Sequence, residues 1–195
     1  MVSFQPSKGY IELGENYHTD DLPDRAVQYD SAKFHLSVSQ KDLPKAWDLI
    51  APLLVEKGIG CKVQDQKTVN SIDPPADAVN KRIVLYTLRK DLENPEAIAS
   101  WKKLLTDIER RFKDHGIRSG GAIKPDRKID GSDYIYMRWG KTIYKNGKAM
   151  DDSDQNLQII NNGVDPFADF TIHIPEITTM RDKVIDNGRG PNVTR

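Results

Sequence analysis

The sequence predicts an α+β fold, with an antiparallel or mixed sheet that carries two main helices on one face and the candidate site on the other. Two observations support this prediction. Between residues 33 and 139 the local patterns follow the order strand, helix, strand, strand, helix, strand, which favours such a sheet. Apolar residues also alternate along the predicted strands, so each strand has one face for the core and one polar face.

The first part of the chain is predicted to hold two strands around one helix. Residues 1–30 are acidic with little periodicity, which predicts an irregular N-terminal segment. Residues 33–38 alternate strictly and predict a strand. Residues 42–57 carry apolar side chains at helical spacing, although Pro52 is expected to kink or shorten that helix. Residues 61–65 alternate again and predict a short strand.

The next part is predicted to run as loop, strand, helix, loop and strand, over residues 66–80, 82–88, 95–115, 117–132 and 133–139. Asn94 caps the helix, Pro95 fits its first turn and Gly116 ends it. Beyond residue 139 the chain is predicted to be mostly irregular, apart from a strand at residues 170–174.

These elements predict a single catalytic domain over residues 31–175, followed by a polar tail over residues 176–195. The 195 residues suit one domain of ordinary size. Cys61 is the single cysteine, so an intrachain disulfide is excluded, and its place on the apolar face of a strand predicts a core thiol. No apolar run approaches the length of a membrane span, and the first residues do not have the pattern of a signal peptide.

The charge is balanced overall but not along the chain. The sequence has 29 basic and 29 acidic residues, which argues against a general nucleic-acid or membrane-surface binder. Residues 33–145 nevertheless carry a net charge of +7, and the two ends together carry −7. A basic middle region between acidic ends is typical of a site for a small anionic ligand.

Strand alternation gathers much of this positive charge on one predicted face. If the two helices cover the apolar face, the opposite face holds no acidic residue and consists of Lys33, His35, Lys62, Arg82, Tyr86, Tyr136 and Arg138. An exposed sheet face is normally polar, and lysines there are often simple solubility devices. Like charges without acidic partners cost energy, however, so this set favours an anion site.

Several short motifs follow one another along the chain. Residues 33–38 read Lys-Phe-His-Leu-Ser-Val, and after an amphipathic helix residues 61–65 read Cys-Lys-Val-Gln-Asp. Residues 84–86 read Val-Leu-Tyr, and a lysine–proline–aspartate loop precedes an aromatic strand that ends in Arg138. In this order the motifs resemble the phosphothreonine lyases over roughly residues 31–139, and Asp165-Pro166-Phe167 is similar to a C-terminal family motif.

The resemblance implies removal of phosphate from phosphothreonine or phosphoserine by β-elimination, without a metal or other cofactor. By motif position, Lys62 is the base that takes the Cα proton and His35 is the acid that protonates the departing phosphate oxygen. A lysine base must be neutral, which burial and neighbouring cations favour. The residues assigned to hold the substrate phosphate are Lys33, Arg82, Tyr86, Arg138 and Lys145.

The resemblance also implies a biological setting. The family comprises secreted bacterial effectors that act on host MAP kinases. We therefore expect a phosphorylated protein or peptide partner such as a host MAP kinase, with no nucleic-acid or membrane partner and a monomeric state. The expected location is the host cell after delivery by a specialised secretion system, or otherwise the bacterial cytoplasm.

Two alternatives stay open. Arg138 is followed by Trp139 and Gly140, where the family has an asparagine and a glutamate, so the chain is alternatively a non-catalytic phosphopeptide- or anion-binding module. A third hypothesis is an enzyme that uses the same basic face for another anionic substrate, such as a nucleotide transferase. Product analysis on a phosphopeptide tests the lyase, and a ligand-shift screen of nucleotides against phosphopeptides separates the other two.

Overall fold

The computed structural model describes residues 3–7, 10–14, 31–64, 80–140, 143–145, 148–150 and 153–175, with side chains for 31–64, 80–140 and 153–175. Nine strands lie in these ranges: β1 (Ser3–Ser7), β2 (Tyr10–Gly14), β3 (Ala32–Leu36), β4 (Cys61–Gln64), β5 (Ile83–Tyr86), β6 (Arg127–Lys128), β7 (Ile135–Trp139), β8 (Ile143–Lys145) and β9 (Lys148–Met150). The first seven form one sheet in the order β1-β2-β4-β5-β3-β7-β6, with antiparallel pairing throughout. The α+β prediction is therefore confirmed.

Helices connect the central strands. The described helices are a short 3₁₀ turn (Gln40–Asp42), α1 (Leu43–Glu56), α2 (Arg89–Leu92), α3 (Pro95–Asp114) and α4 (Ser153–Asn161). The start of α3 follows the prediction, because the Asn94 side chain accepts hydrogen bonds from the backbone N–H of Glu96 at 2.9 Å and of Ala97 at 3.4 Å. None of the described helices is long and apolar enough to cross a membrane.

The core lies between the sheet and the two long helices, α1 and α3. Phe34 of β3 is fully buried, with its ring 5.5 Å from that of Trp101 in α3 and 5.1 Å from that of Phe167. Burial of one such side chain contributes about 1.5–3 kcal/mol. The apolar face of β3 is thus fixed on both sides, which holds Lys33 and His35 in place on the opposite face.

The N-terminal prediction was wrong for Ser3–Ser7 and Tyr10–Gly14. They form the antiparallel hairpin β1–β2, and β2 pairs with β4. Pairing with β4 gives the backbone groups of this hairpin partners that a local reading of the sequence does not show. Pro6 falls in the edge strand, where a missing N–H is tolerated. Residues 15–30 and 176–195 lie outside the described residues, and the domain boundaries stay a prediction.

Four smaller expectations also need correction. Helix α1 continues through Pro52 to Glu56, so Pro52 does not shorten it, and the expected kink stays a prediction. The region after residue 139, expected to be irregular, holds the hairpin β8–β9 and helix α4. The predicted loop over residues 117–132 contains the two-residue strand β6. The strand expected at residues 170–174 is reduced to an isolated bridge between Thr171 and Asp130. Such short elements depend on tertiary partners, so periodicity predicts them poorly.

Candidate active site

Three residues assigned to phosphate binding lie side by side across the sheet. Lys33 of β3 is directly opposite Tyr86 of β5 on one side and Arg138 of β7 on the other. Residues directly opposite in an antiparallel pair share a face of the sheet, so all three side chains project from the face away from the helices. The Lys33 Nζ lies 5.8 Å from the centre of the Tyr86 ring. We call these three residues the phosphate row.

The two candidate catalytic residues lie in the neighbouring row. Val84 of β5 is opposite Lys62 of β4 on one side and opposite His35 of β3 on the other. Two strand spacings, about 10 Å, therefore separate the Lys62 and His35 backbones, and the short Val84 side chain lies between them. The Lys62 Nζ is 6.0 Å from the centre of the Tyr86 ring, which links the two rows. We call Lys62, Val84 and His35 the catalytic row.

The remaining two assigned residues lie apart from the phosphate row. Arg82 comes just before β5, on the far side of the catalytic row from Tyr86, and its guanidinium donates to the Gln64 side-chain oxygen. The backbone distance from Arg82 to Tyr86 is about 13 Å for four extended residues. Lys145 ends β8, in a separate two-stranded sheet, and its side chain lies outside the described part. The phosphate roles of both stay predictions.

The sequence alone suggested a face without acids, whereas the structure places one carboxylate in it. Asp126 reaches the face from the loop before β6, and its Oδ2 is hydrogen-bonded to His35 Nδ1. Its side chain is fully buried. The Lys-Pro-Asp loop of the family resemblance contains this residue, but a loop has no alternation that assigns it to a face. Alternation across strands therefore could not include it.

Contacts with the residues just after β3 and with Asn80 fix the path of the loop that carries Asp126. The Ser37 hydroxyl donates to the Gly121 carbonyl at 2.6 Å, and the Gly120 N–H donates to the Ser37 carbonyl at 3.1 Å. The Asn80 side chain donates to the Ala122 carbonyl at 2.9 Å. A Cβ at Gly120 would lie only 2.5 Å from the Val38 carbonyl oxygen, so glycine is required there for packing.

A second residue that strand alternation missed is Lys81. It precedes β5 and is 7% exposed. Its Nζ lies 3.8 Å from Asp126 Oδ1, and Arg138 Nη1 lies 3.7 Å from the same oxygen. The Asp126 carboxylate is thus surrounded by His35, Lys81 and Arg138. A residue outside a regular strand carries no periodic signal, so nothing in the sequence pattern marked Lys81.

The site has an excess of positive charge that affects Lys33. Burial, together with the charges of Lys62, Lys81 and Arg138, lowers the pKa of Lys33 from 10.5 to about 7. Asp126 opposes this shift only in part. A substrate-free site with this balance gains favourable charge interactions when an anion enters.

The His35–Asp126 pair is also shaped by burial. Burial lowers the pKa of His35 below its ordinary value, although the hydrogen bond and charge of Asp126 act in the opposite direction. Burial alone would raise the pKa of Asp126, but the hydrogen bond and charge of His35, with the charges of Lys81 and Arg138, hold it below the usual value. The pair therefore favours an ionised Asp126 beside an imidazole whose pKa burial holds below its ordinary value.

Replacing Lys33 with methionine is expected to stabilise the substrate-free protein at low pH. The folded-state pKa of Lys33, about 7, lies below its unfolded value of 10.5, so folding must neutralise or bury a charged amine. This cost is fully present below pH 7 and disappears as the pH rises towards 10.5. The melting temperature of Lys33→Met should exceed that of wild type most at pH 6, measured without phosphate or sulfate, and the gain should shrink by pH 9.

Lys103→Met is the matched control for that comparison, since Lys103 lies on the surface of α3 and its side chain is 73% exposed. Its change in melting temperature should be small and should not depend on pH. A Lys33→Met gain of the same size at pH 6 and pH 9 would contradict the buried-amine argument.

The prediction for the thiol has a plainer outcome. Cys61 is 2% exposed, and burial raises its pKa to about 12, so the prediction of a core thiol is confirmed. Within the described side chains, no three His, Cys, Asp or Glu residues converge as a metal site would require.

The fold and the site together define an α+β protein with a basic sheet face and a His–Asp pair, and solved structures share this fold. OspF of Shigella flexneri, a type III effector and phosphothreonine lyase, aligns with a TM-score of 0.55 and 13% identity over 82% of this chain and 77% of its own. The phosphothreonine lyase effector VirA (SpvC) of Chromobacterium violaceum aligns with a TM-score of 0.59 and 18% identity over 88% and 77%. The Salmonella plasmid virulence C protein, SpvC, aligns with a TM-score of 0.56 and 19% identity over 84% and 77%.

This protein therefore has the fold of the phosphothreonine lyases. No protein-family model matches the sequence, and no curated protein sequence matches it significantly. The three proteins share the fold with this chain at low sequence identity. This agrees with a sequence resemblance that is confined to short motifs in a fixed order.

Proposed function

We propose that this protein is a phosphothreonine or phosphoserine lyase that removes phosphate from a protein or peptide by β-elimination. Lys62 is the base and His35 is the acid. Lys33, Tyr86 and Arg138 bind the phosphate, with Asp126 as the partner of His35. The reaction needs no metal or other cofactor.

The observation that carries the proposal is the arrangement of the two rows. Lys62 and His35 face each other across Val84, and the phosphate row lies immediately beside them on the same face. A phosphothreonine whose phosphate contacts Lys33 and Arg138 would place its Cα and Cβ over Val84. A base on one side and an acid on the other are then both within side-chain reach of one residue, as general acid–base catalysis requires.

The proposed reaction balances without water. The Lys62 amine takes the Cα proton, the electrons form the Cα=Cβ bond, and the Cβ–O bond to phosphate breaks. The proton of His35 goes to the departing phosphate oxygen. The products are a dehydrated residue in the peptide and inorganic phosphate. Burial lowers the pKa of His35, and the negative charge of the bound phosphate raises it again. Substrate binding therefore favours the protonated imidazole that acts as the acid.

Mass spectrometry of a phosphothreonine peptide after treatment with the protein tests this function. The expected product has lost the complete elements of phosphoric acid, because elimination leaves a dehydrobutyrine residue. A product with its hydroxyl restored would indicate a phosphatase and contradict the proposal. Tight binding with no product would favour the alternative, a non-catalytic phosphopeptide- or anion-binding module.

The proposal extends to the setting in which the protein works. We propose a secreted effector that acts as a monomer on a phosphorylated host protein, with a MAP kinase as the first candidate. Support comes from the structural neighbours, since OspF is a type III effector and VirA is an effector protein. Phosphorylated MAP kinase and unrelated phosphoproteins, offered at equal concentration, distinguish a kinase-selective enzyme from one that acts more widely.

A further inference from the structure

Lys81 is a buried cation to which the proposed reaction gives no role. It is 7% exposed and lies close to Asp126, the carboxylate that is hydrogen-bonded to His35. Placing a lysine in such a position is costly unless its charge is balanced, and Asp126 lies 3.8 Å away. Lys81 therefore has to be explained together with Asp126.

The two oxygens of the Asp126 carboxylate have different neighbours. Oδ2 is bonded to His35 Nδ1. Oδ1 lies between Lys81 Nζ at 3.8 Å and Arg138 Nη1 at 3.7 Å, and within the described residues it accepts no hydrogen bond. Both cations thus act on Asp126 through charge at a distance just beyond hydrogen bonding.

We propose that Lys81 is a positioning residue that keeps Asp126 ionised while His35 acts as the acid. The inference rests on the proposed function. In that function Arg138 also binds the substrate phosphate, beside Lys33 in the phosphate row. Once Arg138 binds the substrate phosphate, Lys81 continues to balance the negative charge of Asp126 Oδ1.

The electrostatics of the pair support this division of roles. Burial raises the pKa of Asp126, and the opposing influences are His35 from β3, Lys81 from the segment before β5, and Arg138 from β7. A protonated Asp126 would no longer offer His35 an anionic acceptor. The imidazolium that donates the leaving-group proton would then lose its stabilising partner.

Steady-state kinetics of Lys81→Met and Lys81→Arg, each also in an Asp126→Asn background, test the role. We expect Lys81→Met to lower kcat about 10- to 100-fold with little change in KM, because the substitution leaves Asp126 misplaced or neutral and does not remove a contact with the substrate. Lys81→Arg should recover most of the activity because it keeps the charge. In the Asp126→Asn background, Lys81→Met should have almost no additional effect.

Three results would overturn the proposal. A raised KM with unchanged kcat would make Lys81 a ligand of the phosphate. An undiminished effect of Lys81→Met in the Asp126→Asn background would show that it acts independently of Asp126. An equal loss in Lys81→Arg would show that the charge is not what matters. Lys103→Met, on the exposed surface of α3, is the control and should keep wild-type kinetics.

A measurement on the substrate-free protein separates this inference from the proposed function. Carbon NMR titration of the Asp126 carboxyl should give a higher pKa in Lys81→Met than in wild type or Lys81→Arg. An unchanged pKa would reject the role of Lys81, whether or not the protein turns over a peptide. Absence of the dehydrated product in wild type would instead reject the lyase function and leave this titration interpretable.

Discussion

Lys62→Ala is expected to lower the rate of elimination by at least about 10³-fold while leaving phosphopeptide binding within a few-fold of wild type. In the proposed reaction Lys62 takes the Cα proton, while Val84 and His35 occupy the rest of the catalytic row and His35 is assigned as the acid. The phosphate row, to which the proposed function assigns substrate binding, keeps Lys33 and Arg138. Product formation by mass spectrometry and binding by calorimetry measure the two quantities separately.

Lys62→Arg distinguishes a base from a simple phosphate ligand. Arginine keeps the positive charge and much of the length of lysine, but it remains protonated in proteins. As a base it should fail as completely as alanine, and as a phosphate ligand it should work well. Substantial activity in Lys62→Arg would therefore remove Lys62 from the proton-transfer step. Added small primary amines should partly restore Lys62→Ala, since they can enter the space that the side chain leaves.

Alternation predicted the part of the site that lies on regular strands. Lys33, His35 and Lys62 were assigned to one face from their positions between buried neighbours, and the observed register places them there. The assignment works because side chains in a strand point alternately to opposite faces, and because the core face of β3 is marked by Phe34 and Leu36. The face follows from local sequence once the apolar side is known.

The missing part of the site depends on contacts that are distant in sequence. Asp126 pairs with His35 across 91 residues and enters from a loop without periodicity. Lys81 lies just outside β5, where alternation no longer applies. Both become recognisable only when the fold brings Asp126 to His35 and Lys81 to Asp126. The first hairpin, β1–β2, was missed for a related reason, since its pairing with β4 is a tertiary contact.

The general acid of an elimination matters less when the leaving group needs no proton. The acid role of His35 can therefore be tested separately from the base role of Lys62. We expect His35→Gln to lower elimination from phosphothreonine about 10²- to 10⁴-fold. Glutamine can still donate a hydrogen bond towards Asp126 but cannot supply a proton. The melting temperature and phosphopeptide affinity should stay close to wild type, which shows that the pocket is intact.

A peptide with phosphate attached through sulfur in place of the bridging oxygen provides the decisive comparison. Thiophosphate leaves as a stable anion, so its departure depends far less on protonation, whereas the Cα proton must still be removed. His35→Gln should therefore regain most of the wild-type rate on the sulfur-bridged substrate, and Lys62→Ala should stay inactive on both. If His35→Gln were equally impaired on the two substrates, His35 would act by holding the phosphate, because a binding role does not depend on the leaving atom.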